Sequence, residues 1–243
     1  WDFTNQNFTE LYAKTDSITT TFISQESDFP VQDATTITLE LNQTYLITSS
    51  FTTTKVFICQ NNVSVTALNQ FGVIITYTGP GNMFSGTDVN FNIDYIGLDC
   101  TGGGQYFNFV DVAVSNSHIF WCANVIGTNC GKFATLNNMA SFVISDTSVT
   151  TDASDGISIV GSGWRVWRIQ NSGFITTSST FVGIDFGTAT ANAVGVGPLV
   201  FVGQGAPGAI GISGLAASGN VISGNIARID QTNYIGNVIP LLG

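Results

Sequence analysis

A unit of about 25 residues recurs through the middle of the chain, and a repeat of that length constrains the fold more than any single residue does. The clearest copy runs Phe142-Val143-Ile144-Ser145-Asp146-Thr147-Ser148-Val149, then a polar stretch from Thr150 to Asp155, then Gly156-Ile157-Ser158-Ile159-Val160. The next reads Val166-Trp167-Arg168-Ile169-Gln170-Asn171-Ser172-Gly173-Phe174-Ile175, a Thr/Ser run from Thr176 to Thr180, then Val182-Gly183-Ile184-Asp185-Phe186. Aligned this way, Phe142 falls on Trp167, Ile144 on Ile169 and Asp146 on Asn171. The second apolar segment of the unit continues as Phe107 to Val110, Phe133 to Leu136, Ile157 to Val160, Val182 to Phe186, Ile210 to Ile212 and Ile235 to Val238.

Short strands follow one another from Thr35 onward, separated by Gly, Asn, Asp and Thr/Ser turns, with no segment long enough for a normal helix. Doubly wound α/β folds need 10 to 15 helical residues between parallel strands and are excluded. A sandwich predicts alternating hairpins, whereas three short strands in each repeat predict one coil of a solenoid. The expected fold is therefore all-β, a right-handed single-stranded parallel β-helix of roughly seven or eight coils. Like residues stack about 4.8 Å apart in such a coil, with aliphatics and aromatics inside and Asn or Asp at the sharp turns.

The ends differ from the middle. Phe8, Leu11 and Tyr12 lie at helical spacing behind a Thr4/Asn5 cap, which predicts a short amphipathic helix within an N-terminal attachment segment, residues 1–30. The solenoid is expected over residues 31–194, with Gly-rich β coils from 195 to 243. That last stretch carries only Arg228 and Asp230 as charges, so it offers no polar cap and is expected to be covered by another subunit or protein.

Only 9% of the residues are charged, against about 25% in an ordinary soluble domain, so the outer faces must be built from Thr, Ser, Asn and Gly. Six basic residues stand against sixteen acidic ones, a net charge of −10. Nucleic-acid binding needs clustered positive charge and is not expected, and no apolar run approaches the length of a membrane span. Cys59, Cys100, Cys122 and Cys130 lack the CxxC pairs of a zinc site and read as buried thiols, with a Cys122–Cys130 bridge left open. The N-x-S/T sequons at Asn7, Asn42 and Asn62 are about what a Ser/Thr-rich chain supplies by chance.

Candidate chemistry is sparse. Gly203-Gln204-Gly205-Ala206-Pro207-Gly208 spells GxGxxG, but strand and turn residues follow where a dinucleotide site needs a helix. Gly102-Gly103-Gly104 has no following Lys-Ser/Thr and reads as a turn. His118 is the sole histidine and is expected to be structural; no metal or cofactor site is expected. Carboxylates remain, because glycoside cleavage needs two acids about 5 to 9.5 Å apart. Asp94, Asp99, Asp146, Asp152, Asp155 and Asp185 are candidates, with Asp99, Asp155 and Asp185 the catalytic choices if the chain is an enzyme. Most have a structural alternative at turns. A calcium role for Asp152 and Asp155 is weaker, since the periodic acidic loop of calcium-binding solenoids is missing. In Trp164-Arg165-Val166-Trp167-Arg168, alternation cannot bury every side chain. Trp164, Arg165 and Arg168 are therefore the expected glycan or subunit-interface contacts.

The stretch Ile75-Thr76-Tyr77-Thr78-Gly79-Pro80-Gly81-Asn82-Met83-Phe84-Ser85-Gly86, with Ile37-Thr38-Leu39 and Tyr45-Leu46-Ile47 before it and the repeated coils after it, resembles the pectate-lyase-like β-helix proteins of tailed bacteriophage tail spikes, fibres and related virion proteins. Asn7-Phe8-Thr9-Glu10-Leu11-Tyr12 resembles the short helix that leads into such fibres. The resemblance covers residues 1–190 and implies a homotrimer in an extracellular virion, beside other virion proteins and in contact with host surface polysaccharide. Many members cleave polysaccharide, but this chain lacks a distinct acidic or basic catalytic cluster. The expectation is thus a noncatalytic spike, fibre or decoration protein. A capsular-polysaccharide or lipopolysaccharide depolymerase and a bacterial surface adhesin are the alternatives.

Overall fold

The computed structural model describes residues 19–69, 72–112, 117–151, 155–164, 166–170, 172–185 and 187, and beyond these only short strand segments at 190–191, 194–195, 205–213, 222–223 and 234–237. The first coil is β1 (Thr19–Ile23), a 3-10 turn (Glu26–Asp28) and β2 (Thr36–Leu39). The second is β3 (Gln43–Ile47), β4 (Phe51–Thr53) and β5 (Val56–Cys59); the third is β6 (Val63–Ala67), β7 (Ile74–Tyr77) and β8 (Asn82–Thr87). Longer strands that turn a corner make the fourth, β9 (Phe91–Asp99) and β10 (Gln105–Val110), and the fifth, β11 (Ile119–Thr128) and β12 (Lys132–Asn137). The sixth coil is β13 (Ser141–Ser145), β14 (Ser148–Thr150) and β15 (Asp155–Val160). After β16 (Ser162–Trp164) comes the seventh, β17 (Val166–Gln170), β18 (Gly173–Ile175) and β19 (Val182–Asp185). Beyond it lie β20 (Thr190–Ala191), β21 (Val194–Gly195), β22 (Gly205–Ser213), β23 (Ile222–Ser223) and β24 (Tyr234–Asn237).

Most of these strands stack into three faces, β16 with β20 and β21 with β23 form two short separate pairs, and the strand pairs are parallel. One face runs β1-β3-β6-β9-β11-β13-β17, a second β2-β5-β8-β10-β12-β15-β19-β22-β24. The third is built from β4, β7, the far halves of β9 and β11, β14 and β18. The chain is a parallel β-solenoid, with about six turns carrying the first face from β1 to β17. It starts earlier than residue 31, because β1 is paired residue for residue with β3. The expected helix around Phe8 lies outside the described residues, as do most of the C-terminal coils. The only helical element among the described residues is the 3-10 turn, which leads into Phe29, packed on Tyr45, Phe51 and Phe57.

The aligned repeats meet as expected: Phe142 pairs with Trp167 and Ile144 with Ile169. Asn171 lies outside the described residues, while the pairs on either side of it, Ser145 with Gln170 and Ser148 with Gly173, are in register. The second apolar segments become neighbouring strands, with Phe107, Ala134, Ile157, Ile184 and Ile212 in one column. The last segment is offset, since Ile210 pairs with Asn237 instead of Ile235.

Stacking places aromatic on aromatic along the axis. Phe57 and Phe84 lie with ring centroids 4.7 Å apart, Phe84 and Phe107 at 5.7 Å, and Phe107 and Phe133 at 5.3 Å. Phe91 joins the same cluster, 4.9 Å from Phe109 and 6.2 Å from Phe120. The corners follow a different rule. Among the described residues, eight non-glycine residues have left-handed backbone, and seven of them are Asn or Asp, the side chains that tolerate it best. Amides then link corner to corner: Asn62 Nδ2 donates to Asn42 Oδ1 at 3.0 Å, and Asn90 Nδ2 to Asn62 Oδ1 at 3.0 Å. At Gly104 the chain passes so close to Gly81 that a Cβ would collide with its carbonyl oxygen, which is why the glycine triplet sits there.

Two substitutions separate the interior from the corner. Phe107→Ala should cost about 3–5 kcal/mol in urea unfolding, because it removes a ring from the middle of the column. Asn62→Ala should cost more than Asn62→Gly, since glycine loses the amide ladder but keeps the left-handed backbone free of strain. Equal losses in both Asn62 variants would contradict the corner argument.

Candidate functional site

The sequence candidates do not converge. Asp99 Oδ1 accepts from Thr128 Oγ1 at 3.2 Å and from Asn129 Nδ2 at 2.9 Å, so it is a rung of a corner ladder. Asp185 is exposed at the end of β19 and its Oδ1 accepts from the Gly187 amide at 2.9 Å. Three coils separate these two aspartates along the axis, about 14 Å, beyond the spacing that glycoside cleavage uses. Asp155 opens β15, its backbone between Lys132 and Val182. Asp146 holds a left-handed corner with φ of 49°, and Asp94 accepts from Asn124 Nδ2 at 3.0 Å. Asp152 lies outside the described residues.

Trp164 is a correction. It is fully buried, its ring edge-on to Phe142, and its indole N–H donates to the Val160 carbonyl at 3.1 Å. Trp164 ends β16, which pairs with β20, whereas Arg168 lies in β17, which pairs with β13, so a single alternation does not span the two. Arg165 lies outside the described residues, and Arg168 is placed only by its backbone pairing with Val143.

Among the described residues, an open groove of about 340 Å³ runs across the outer side of β6, β9 and β11. Its lining comprises Asn62, Ser64, Asn90, Asn92, Ile119 and Trp121 above a floor of Val63 and Phe91. Strict alternation along β11 creates one wall: Phe120 and Cys122 point into the core, so Ile119 and Trp121 point out, each 42% exposed. Register creates the other, because Ser64, Asn92 and Trp121 occupy the same outward column on successive coils. Asn92 Nδ2 donates to Ser64 Oγ at 2.9 Å, and Asn90 Oδ1 accepts from the Ile119 amide at 2.9 Å. The lining carries no charged side chain. An indole beside fixed amides and a hydroxyl suits a neutral polyhydroxylated ligand that offers both C–H faces and hydroxyls. Sequence reasoning passed over Trp121, although the Ile-Phe-Trp-Cys alternation at 119–122 carried the signal.

The cysteine and glycine motifs are structural. All four cysteines are free and buried, with no Cys122–Cys130 bridge, and burial pushes Cys122 and Cys130 up to about 12 and Cys100 to about 11. They are thiols at neutral pH and poor nucleophiles. Gly205 to Gly208 lie within β22, so the GxGxxG run enters a strand and not the helix a dinucleotide needs. His118 is partnered, its Nδ1 lying 3.0 Å from Asp111 Oδ2.

Comparison with family models, with curated protein sequences and with solved structures gives no match. The fold is carried by the coordinates and the repeat alone.

The two tryptophans give opposite expectations. Trp164→Ala should destabilise by about 3–5 kcal/mol, as a buried ring is lost. Trp121→Ala should change stability by only about 0.5 kcal/mol. In the same native protein the four thiols should resist a thiol reagent until unfolding exposes them together. Rapid native labelling, or a reversed order of the tryptophan effects, would contradict the assignment of inside and outside.

Proposed function

We propose that this chain is a noncatalytic structural protein of a bacteriophage virion, a tail spike, tail fibre or capsid decoration protein, that contacts host surface glycans through the groove beside Trp121. The observation that carries the reading is an exposed tryptophan set among aligned amides and hydroxyls on a rigid solenoid face. A glycan chain is elongated and largely uncharged along its ring faces, and a groove running across stacked strands offers it a matching row of contacts. The low charge of the chain supports the same reading, because Thr, Ser, Asn and Gly surfaces bind sugars without the counterion release that nucleic acids require. Trimeric assembly belongs to the proposal. Exposed apolar side chains such as Phe22, Leu41 and Leu68, each more than half exposed, support an association partner for the lone chain.

Light scattering should return about three times the 25.7 kDa chain mass. Bacterial capsular and lipopolysaccharide oligosaccharides, presented as an array, should then be bound with a change in tryptophan fluorescence, and Trp121→Ala should weaken binding at least tenfold. Binding unaffected by Trp121→Ala would remove the groove from the proposal. Release of new reducing ends or unsaturated products, lost on replacing Asp99, Asp155 or Asp185 by Asn, would replace the structural reading with a depolymerase.

A further inference from the structure

We propose that Asp88, Asp111 and His118 bind one divalent transition-metal ion of the zinc class, at a corner separate from the glycan groove and independent of it. Asp88 directly follows β8 and Asp111 directly follows β10, and the pairing of Thr87 with Val110 stacks these two corners on successive coils. His118 enters β11 on the next coil. The three side chains offer ligand atoms that all lie within 4.8 Å of one another.

The carboxylate of Asp111 points to what is missing. Its side chain is fully buried. Oδ2 accepts from the Ser117 amide at 3.1 Å and faces His118 Nδ1 at 3.0 Å, whereas Oδ1 accepts no hydrogen bond among the described residues. An ionised carboxylate has room for about four acceptor contacts, and a buried oxygen with none carries the full cost of lost hydration. No lysine or arginine pairs with Asp111 among the described residues. Asp88 brings a second carboxylate to the adjacent coil, with its Oδ1 held by the Val112 amide at 2.8 Å. One imidazole faces the two carboxylates. A dication satisfies both carboxylates and the unpartnered oxygen together.

The donor set selects the metal. An imidazole nitrogen with two carboxylate oxygens is a mixed N/O site of the kind zinc takes with bonds of about 2.0–2.2 Å, leaving a position for water. Tetrahedral ligands at that bond length stand about 3.3–3.6 Å apart. The Nδ1 to Oδ2 spacing of 3.0 Å is a few tenths of an ångström short of that range, so the His118 ring and the Asp111 carboxylate would part slightly to admit the ion. Calcium would need six to eight oxygens, more than this corner supplies. The ion would staple three successive coils along the solenoid axis.

The test uses the untagged full chain, stripped with EDTA and dialysed. Titration with ZnCl2 by calorimetry should give one ion per chain, confirmed by elemental analysis after gel filtration. Zinc at a hundredfold above Kd should raise Tm by roughly 5–10 °C. Cobalt(II) in the same site should give the visible absorption of a low-coordinate N/O complex. Asp88→Asn keeps an acceptor for the Val112 amide and removes only the charge, so it should fold and bind zinc at least tenfold more weakly. His118→Gln should do the same and abolish the cobalt spectrum. Absence of retained zinc in the wild-type chain, binding undiminished in both variants, or tighter binding of calcium than of zinc would each overturn the proposal.

Discussion

In-register stacking of parallel strands is the interaction on which everything else in this molecule depends. Each coil lies about 4.8 Å above the last, so a residue meets its own equivalent and must be compatible with it. Inside, that rule favours rings on rings, as in the Phe57, Phe84 and Phe107 column, where burial and ring contact reinforce each other. At the corners it favours asparagine, which accepts left-handed backbone and passes a hydrogen bond to the asparagine above. The same rule disfavours charge: equal charges on successive coils repel, and the chain holds only 9% charged residues.

The two places where chemistry gathers are both products of that stacking. Around Trp121, three coils contribute one outward residue each to a common column, and an uncharged groove results. Around Asp111, successive corners place one carboxylate over another, which the ladder rule would otherwise avoid. A ladder of asparagines closes on itself through its amides. A ladder of aspartates does not, and it leaves one oxygen of Asp111 without a partner among the described residues.

The architecture was legible in the residues because the ladder writes itself into the repeat. Phe142 over Trp167 and the column through Phe107, Ile157 and Ile184 are visible as like residues at a fixed interval. The start of the solenoid was not, because the interval becomes irregular there: β3 follows β1 by 24 residues, but β6 follows β3 by only 20. Trp164 was misread for a related reason: alternation works within one strand, and the division of this stretch between β16 and β17 cannot be seen from periodicity. The Asp88, Asp111 and His118 cluster was hidden because the alignment began at Phe107. Extending it one coil back to Asn82–Thr87 would have put Asp88 and Asp111 at equivalent positions, 23 residues apart. His118 joins them only through the turn between coils, which no spacing rule describes.

Distance along one outward column tests the stacking most directly. Thr20, Thr44, Ser64, Asn92 and Trp121 follow one another on five successive coils of the first face. Spin labels at Thr20→Cys and Trp121→Cys, in labelled chains diluted with unlabelled ones, should give a single separation near 19 Å by pulsed electron resonance, four coil steps in all. The native thiols are buried and do not compete for the label. A broad distribution, or a mean beyond about 30 Å, would contradict an in-register parallel solenoid and with it both sites built upon it.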